Sequence, residues 1–468
     1  MCVKQHNIGP DSNGNSGTSA VKCEAQQAFS AFSKPRDLAS NLMNDVADKA
    51  NLKRAFKAVK RNKGAPGIDN ISIKEVGNDL DNVIVHLQDQ LLAGTYLPCP
   101  VKGVKIPKPS GGTRQLGIPT VIDRMVQQAI SQVLTTIFDP LFSESSYGFR
   151  PKRSAKQAIL QASQFVRDDR MWVVDIDLEK FFDKVNHDIL MALLAKQIQD
   201  KALLRLVRRF LTAGMMQNGI CMRTEEGTPQ GGPLSPLLSN VMLHELDKEL
   251  QKRGHTFCRY ADDCNIYVRS QAAGQRVLHS ITHFIEKRLK LKVNATKSAV
   301  DKVNNRAFLG FRLRNNGDIA VSPQSLKRIK NKIRYVTKRN RGICLAQVIK
   351  ELNPIIRGWF HYFKWTNAIT LFKQLDAWIR RRLRCFRLKQ RKRKYSIKTF
   401  LQSMGVNQQD CWALACSDKG WWRKALNPIV HRALSIQWFR SEGLFSLAEN
   451  FVKHKSKTAV CDIARTVV

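Results

Sequence analysis

Tyr260-Ala261-Asp262-Asp263 is the stretch whose reading decides the fold. It stands between two short alternating apolar runs, Thr256 to Tyr260 and Cys264 to Val268. That pattern predicts a β-hairpin with two adjacent carboxylates at its tip. Inside a strand, neighbouring side chains point to opposite faces, so two consecutive Asp residues could not serve one site. At a turn the alternation breaks, and both can approach the same point. Two like charges that close are costly unless a positive charge joins them, and a divalent metal is the natural candidate. A third carboxylate elsewhere in the chain would complete such a site.

Met171-Trp-Val-Val-Asp-Ile-Asp177 is apolar enough for a central strand, and Leu178-Glu-Lys-Phe-Phe-Asp183 follows it. Asp177 ends the strand. Asp175 and Asp183 compete for the same role, Asp175 because it lies two residues back on the same strand face. Gly227-Thr-Pro-Gln-Gly-Gly-Pro-Leu-Ser-Pro236 forms a rigid loop with a bare backbone, open to a large planar group, and leads into a helix from Leu237 to Leu250. Three carboxylates on neighbouring strands, beside a basic groove, suit two Mg2+ ions about 3.5–4 Å apart. Phosphoryl transfer needs positioning and charge neutralisation more than covalent chemistry, so three Asp residues suffice.

The charge supports a polyanionic partner. The 468 residues carry 78 Lys+Arg against 38 Asp+Glu, a net charge of +40, and self-repulsion on that scale favours binding to nucleic acid. Hydrophobic content of 43% excludes a wholly disordered chain. The 11 cysteines are scattered without a C-x-x-C pair, which speaks against a zinc ribbon or a disulfide framework and suits a reducing cytosol. No apolar run approaches a membrane span, so a cytoplasmic protein without a membrane partner is expected.

Leu42, Val46, Leu52, Phe56 and Val59 recur at helical spacing from Leu42 to Lys60. Val101 to Pro119 reads as a hairpin turning at Pro109-Ser-Gly-Gly112, with Lys105, Lys108 and Arg114 placed to grip a triphosphate. From Ser325 basic amphipathic helices take over. Arg380, Arg381, Arg382, Arg384, Arg391, Lys392 and Arg393 suggest a phosphate-tracking surface beside aromatic Gly358-Trp-Phe-His-Tyr-Phe363.

These motifs together resemble the palm of a reverse transcriptase, and more narrowly the bacterial group II intron-encoded reverse transcriptase/maturases. The resemblance also draws on Gly64-Ala-Pro-Gly-Ile-Asp69, Ile106-Pro-Lys-Pro109, Arg114-Gln-Leu-Gly-Ile-Pro119, Gly148-Phe-Arg-Pro151 and Phe308-Leu-Gly-Phe311, while Ile355 to Phe363 looks like the maturase signature. It implies an α+β right-hand polymerase: fingers and palm with an antiparallel sheet flanked by helices, then a helical thumb/maturase domain and a small helical C-terminal module. The expected layout is a flexible tail over 1–40, an N-terminal extension over 41–100, fingers and palm over 101–316, thumb over 317–395, and a nucleic-acid-binding module over 396–468.

The resemblance also assigns roles. The family's D-I-x-x-x-F-D pattern selects Asp177 over Asp175, giving Asp177, Asp262 and Asp263 as catalytic metal ligands, with the Ile176 or Leu178 backbone as a further ligand. Phe182 falls where a bulky residue rejects a ribose 2′-hydroxyl. Lys108 and Arg114 hold the triphosphate, Gln230 packs near the incoming nucleotide, and Lys297 assists pyrophosphate departure. Tyr260 and Phe308, Leu309, Gly310 and Phe311 grip the primer and template. The implied partners are group II intron RNA, a DNA target and primer, and dNTPs; a homodimer is left open. With no paired cysteine motif and little chain beyond Leu447, the H-N-H endonuclease of many members is expected to be absent. The competing assignments are a splicing factor with an idle polymerase fold and a reverse transcriptase of a defence or mutagenesis system.

Overall fold

Asp48 divides the helical pattern that begins at Leu42. Its backbone is extended and its carboxylate accepts from Asn51 N, so the stretch folds as two helices, Leu42–Ala47 and Lys49–Asn62. An Asp placed to cap outweighs the continuous apolar stripe. The computed structural model describes residues 41–107, 111–217, 220–222, 226–228 and 231–466. The tail over 1–40, Lys108 and Gln230 lie outside the described residues.

The predicted fingers hairpin forms. Strands β1 (Val101–Pro107) and β2 (Thr113–Ile118) are antiparallel, and register places Arg114 opposite Ile106. After the helix Val121–Phe138 and the helix Ala155–Arg167 comes β3 (Trp172–Ile176). Strand β4 (Met215–Gln217) pairs in parallel with β1 and antiparallel with β5 (Ile220–Met222), completing a fingers sheet in the order β2-β1-β4-β5.

The palm sheet is built from β6 (Thr256–Tyr260), β7 (Asp263–Val268) and β8 (Ala299–Lys302) around β3, in the order β6-β7-β3-β8. All its pairings are antiparallel, and Ile176 stands opposite Cys264. The strand carrying Asp177 is therefore the direct neighbour of the strand carrying Asp263. One face of the sheet meets the helix Ser235–Lys252 in a core that also takes in Leu52, Phe56, Leu87 and Leu91. Burial of each such side chain contributes about 1.5–3 kcal/mol. The N-terminal helices thus share the palm's core.

Strands β9 (Phe311–Leu313) and β10 (Ile319–Val321) make a hairpin that leads into the thumb helix Pro323–Val336. A boundary between 316 and 317 would cut this hairpin at its turn. The next long helices are Leu345–Phe363 and Ile369–Arg391. A boundary between 395 and 396 falls inside the helix Lys394–Ser403. Ile397, Leu401, Cys411, Leu434 and Phe439 share one core with Phe372, Leu383 and Phe386. The C-terminal helices are therefore continuous in packing with the thumb.

Candidate active site

The two central residues of the β6–β7 turn are Ala261 and Asp262, because Tyr260 pairs with Asp263. Ala261 adopts φ +58, a conformation that favours glycine, so something must hold the turn. That support is Arg259, which is 0% exposed. Its Nε and Nη2 donate to the two Asp247 carboxylate oxygens at 2.7 and 2.6 Å, and Nη2 also donates to Ser146 Oγ at 2.8 Å. Its Nη1 donates to Asn240 Oδ1 at 3.0 Å and to the Ala261 carbonyl at 2.9 Å. All five guanidinium protons are used, which is the condition for a tolerable buried charge. Gly148 seals the other side of the turn, where a Cβ would lie 2.2 Å from Ala261 N.

Asp175, Asp177 and Asp263 line one cavity of about 800 Å3 with Lys297, Arg306 and Arg312. Lys297 Nζ stands 2.8 Å from Asp177 Oδ2, an ion pair at a buried oxygen that no hydrogen-bond donor aligns with. Burial, then the charges of Asp262, Asp175 and Asp177, push the Asp263 pKa up to about 6. Asp262 is also raised, by burial first and the Asp177 charge next, while Arg114 and Lys297 oppose the shift. These shifts describe carboxylates short of positive charge, and the Asp177 oxygen, held only by the Lys297 ammonium, is of the kind a hard cation takes. Among the described residues, no three His, Cys, Asp or Glu side chains are already gathered closely enough to hold a metal ion by themselves. Substrate oxygens and water would have to complete the coordination of any metal held there.

Asp175 has a different employment. Arg306 donates to its Oδ2 from Nη2 at 2.6 Å and from Nε at 3.1 Å, and the same Nη2 reaches the Lys297 carbonyl at 2.6 Å. With its amide turned to donate, Asn265 meets the other oxygen at 3.1 Å. Asp175 is thus paired within the protein, whereas Asp177 faces only a lysine on a loop. The same arginine ties that loop down.

Phe182 is half-buried on the short helix Phe181–Lys184, its ring edge-on to Phe181 at 5.2 Å. The Gly/Pro-rich loop is sewn to it: Thr228 N donates to the Phe182 carbonyl and Gly227 N to the Val185 carbonyl, both at 2.7 Å. A Cβ on Gly231 would strike the Gly117 carbonyl of β2 at 2.4 Å, so this loop lies between the fingers strand and the Phe182 segment. Backbone positions near Asp177 are partly committed, with Ile176 paired to Cys264 and Leu178 bridged to Val293.

Phe308 and Phe311 close a two-residue turn through reciprocal backbone bonds of 3.0 and 2.9 Å, with Leu309 and Gly310 at positive φ. Phe311 is 2% exposed and stacks on Tyr362, so its ring is a packing element between palm and thumb. Phe308 is buried as well, the Leu309 and Gly310 carbonyls accept from Tyr362 Oη at 2.9 Å and Ser322 N at 3.0 Å, and Leu309 and Gly310 line a palm–thumb cavity. Tyr260 is half-buried and packs against this same palm–thumb core.

The thumb arginines are also redistributed. Arg384 is 5% exposed and donates from Nε and Nη2 to the Leu434 carbonyl at 3.0 and 2.9 Å, so it is an internal brace and not a surface contact. Arg382 donates to Thr337 Oγ1 at 2.6 Å and to the Arg334 carbonyl at 3.3 Å, bridging two thumb helices. Arg380, Arg381 and Arg391 are half-buried, while Lys392 and Arg393 are exposed. Sequence reasoning missed Arg259, Asp247, Asn240 and Arg306. A visible signal existed for Arg259, a charge in the apolar run Thr256 to Tyr260, which requires a buried partner.

Residues 106–313 match the family described as reverse transcriptase (RNA-dependent DNA polymerase), and residues 326–404 match the group II intron, maturase-specific domain. Protein YkfC of Escherichia coli (strain K12) is 33% identical over 303 residues, which is 56% of this chain and 80% of that protein. The chain belongs to the group II intron reverse transcriptase/maturase family. The group II intron-encoded protein LtrA of Lactococcus lactis subsp. cremoris is 41% identical over 170 residues, 36% of this chain and 28% of LtrA. A putative COX1/OXI3 intron 2 protein of Saccharomyces cerevisiae is 26% identical over 351 residues, covering 62% of this chain and 40% of that one. The match therefore spans less than half of these last two relatives. The reverse transcriptase domain is of the divalent-metal-dependent polymerase class, and the maturase domain implies an RNA partner. Among the described residues no helix is long and apolar enough to cross a membrane.

Proposed function

We propose that this reverse transcriptase extends a DNA primer on an RNA template, and that it binds a group II intron RNA to promote splicing and intron mobility from the bacterial cytoplasm. Asp177, Asp262 and Asp263 would hold two Mg2+ ions, which supply charge neutralisation at the attacking 3′-hydroxyl and at the departing pyrophosphate. The chain's own groups do the rest. Arg114 stands within electrostatic reach of Asp262 and would bind the triphosphate, together with Lys108. Phe182 would exclude a ribose 2′-hydroxyl by volume, and Gln230 would pack near the incoming nucleotide. Lys297, freed from Asp177 as the site loads, would turn to the leaving phosphates, and the Leu309–Gly310 backbone would carry the primer strand.

One observation supports this reading above the rest: Asp177 and Asp263 line one cavity beside a turn fixed from beneath, and burial with mutual repulsion raises the pKa of Asp262 and Asp263. Template-directed incorporation of labelled dNTPs in Mg2+ is the test. Asp262→Ala should abolish extension while leaving template–primer affinity within a few-fold of the parent. Synthesis by that variant at the parent rate would sink the metal assignment. Splicing of the cognate intron should survive the same change, and its loss would mean that the two activities are not separable.

A further inference from the structure

On the thumb, a second cavity of about 780 Å3 opens between the helix Ile369–Arg391 and the short helices Pro428–Ala433 and Ile436–Ser441. Its volume lies in the range of roughly 300–1,000 Å3 common to small-ligand sites. Trp378, Arg380, Arg381, Arg384, Leu426, His431 and Ile436 are on its wall, and none of its lining residues is acidic. Leu426 is 47% exposed and Ile436 51%, an apolar floor that folding alone leaves open to water. Scattered exposed apolar residues need no explanation, but two of them beneath a cationic wall form a specific chemical surface.

The cations here are stiff. Arg384 is fixed on the Leu434 carbonyl and orders the junction between the two short helices. The Arg381 guanidinium carbon lies over the Trp422 ring, 3.9 Å from its centroid, its Nη2 donates to the Trp422 carbonyl at 3.1 Å, and its buried Nε has no hydrogen-bond partner. Among the described residues, none of Arg380, Arg381, Arg382, Arg384, Arg387 and Arg391 forms an ion pair, whereas Arg341, Arg432 and Arg440 elsewhere in the same domain each do. Positive charge is thus in excess at this wall, with the Asp376 and Glu449 charges acting on Arg380 but no carboxylate paired to it. Just past the end of that helix, Lys392 and Arg393 continue the basic run as exposed residues.

We infer that this cavity receives a nucleotide turned out of a single-stranded loop of a folded RNA. The base lies on Leu426, Ile436 and Trp378, and its phosphate lies on Arg380 and Arg381. An aromatic face and apolar surface joined to guanidinium groups is a combination that recognises unstacked bases. An acidic peptide with apolar anchors would satisfy part of the same chemistry. The basic run leading away from the cavity favours a strand with phosphates at regular intervals instead. The inference rests on the RNA-binding reading above and gives it an address away from the polymerase carboxylates.

Two RNA probes of equal length separate the possibilities: a hairpin with an unpaired loop and a fully paired duplex. In the full-length chain, Ile436→Glu and Leu426→Glu alter exposed side chains, so folding should be preserved, as a circular dichroism melt would check. Each variant should weaken hairpin binding about tenfold relative to the duplex, because both probes feel the added charge but only one offers a free base. Photocrosslinking from a thiouridine placed in the loop should label the segment from Leu426 to Gln437. Equal losses on the two probes, or unchanged hairpin affinity, would overturn the inference while leaving RNA binding itself intact. Tight capture of an acidic apolar peptide that Ile436→Glu abolishes, with RNA affinity unmoved, would reassign the cavity to a protein partner. A parent chain that binds neither RNA would remove the RNA-partner reading as well.

Discussion

Arg259 beneath the palm turn and Arg384 within the thumb are both buried, and they are stabilised in opposite ways. Burial pulls the pKa of Arg259 down, but the Asp247 charge and its hydrogen bonds pull harder, and the group ends above its ordinary value. Arg384 has no carboxylate. Burial, with the nearby Arg380 charge, holds its pKa down to about 10, and a backbone carbonyl receives its protons. The first arginine is neutralised in place and works as a geometric pin for the Ala261 carbonyl. The second leaves its charge in the surrounding field. A palm that must hold three carboxylates in one place needs fixed internal compensation, and a thumb that must hold a polyanion needs the reverse.

The comparison is broken most directly at Asp247. Replacing one member of a buried ion pair leaves the other uncompensated, at about 3–5 kcal/mol. Asp247→Ala should lose that much in urea denaturation and also lose primer extension. Replacing both partners, as Asp247→Leu with Arg259→Met, should recover most of the stability. Extension should stay low, because nothing then holds the Ala261 carbonyl. Full recovery of both would show that the network is packing alone and has no role in aiming the turn.

The carboxylates themselves provide the next largest effect. In the chain stripped of divalent ions, burial and the neighbouring carboxylates push the Asp263 pKa up to about 6 from an ordinary value of 3.8. A raised acid pKa means that the folded state binds more protons between those values, so this group lowers stability as pH rises from about 4 to about 6. Asp263 is exposed at the turn, so solvent screening leaves the loss well below what the shift alone would give. Adding Mg2+ should therefore raise the melting temperature more at pH 7 than at pH 5. An equal rise at both would mean that the carboxylates are not short of positive charge.

Much of the palm could be read from the sequence because it depends on local rules. The Tyr260–Asp263 turn, the fingers hairpin and the strand ending at Asp177 are each announced by alternation and turn residues. The supports were not legible, because Asp247, Asn240, Ser146 and Arg259 meet from three separate segments and no spacing rule joins them. In the thumb the error ran the other way. A dense basic run such as Arg380 to Arg393 reads as one surface, yet helical periodicity sends Arg384 inward with Leu383 and Phe386 and leaves Lys392 and Arg393 outside. Composition shows how much charge the helix carries, and only packing shows which of it remains available.

Arg384→Met should therefore cost less than Asp247→Ala. It deprives one carbonyl of its donors, a penalty of about 1–3 kcal/mol, and it removes an unpaired buried charge, which offsets part of that. Urea midpoints of the two variants compared with the parent would check the order. If Arg384→Met proved as damaging as Asp247→Ala, the distinction between a paired and an unpaired buried arginine would fail.

The smallest structural effect is expected where the charge is free. Lys392 and Arg393 stand exposed at the end of their helix and in the bend before the next, with no ion pair among the described residues. Changing both to Gln should leave stability within about 0.5 kcal/mol, as for surface substitutions in general. Their loss should instead appear in the salt dependence of RNA binding, where each phosphate contact removed lowers the slope of log K against log salt by about 1. Arg384→Met should barely move that slope, since its guanidinium is committed to Leu434 and cannot release a counterion from the RNA. A slope unchanged by the Lys392 and Arg393 replacements but reduced by Arg384→Met would invert the argument, placing the RNA against the interior brace and leaving the exposed end of the helix to solvent.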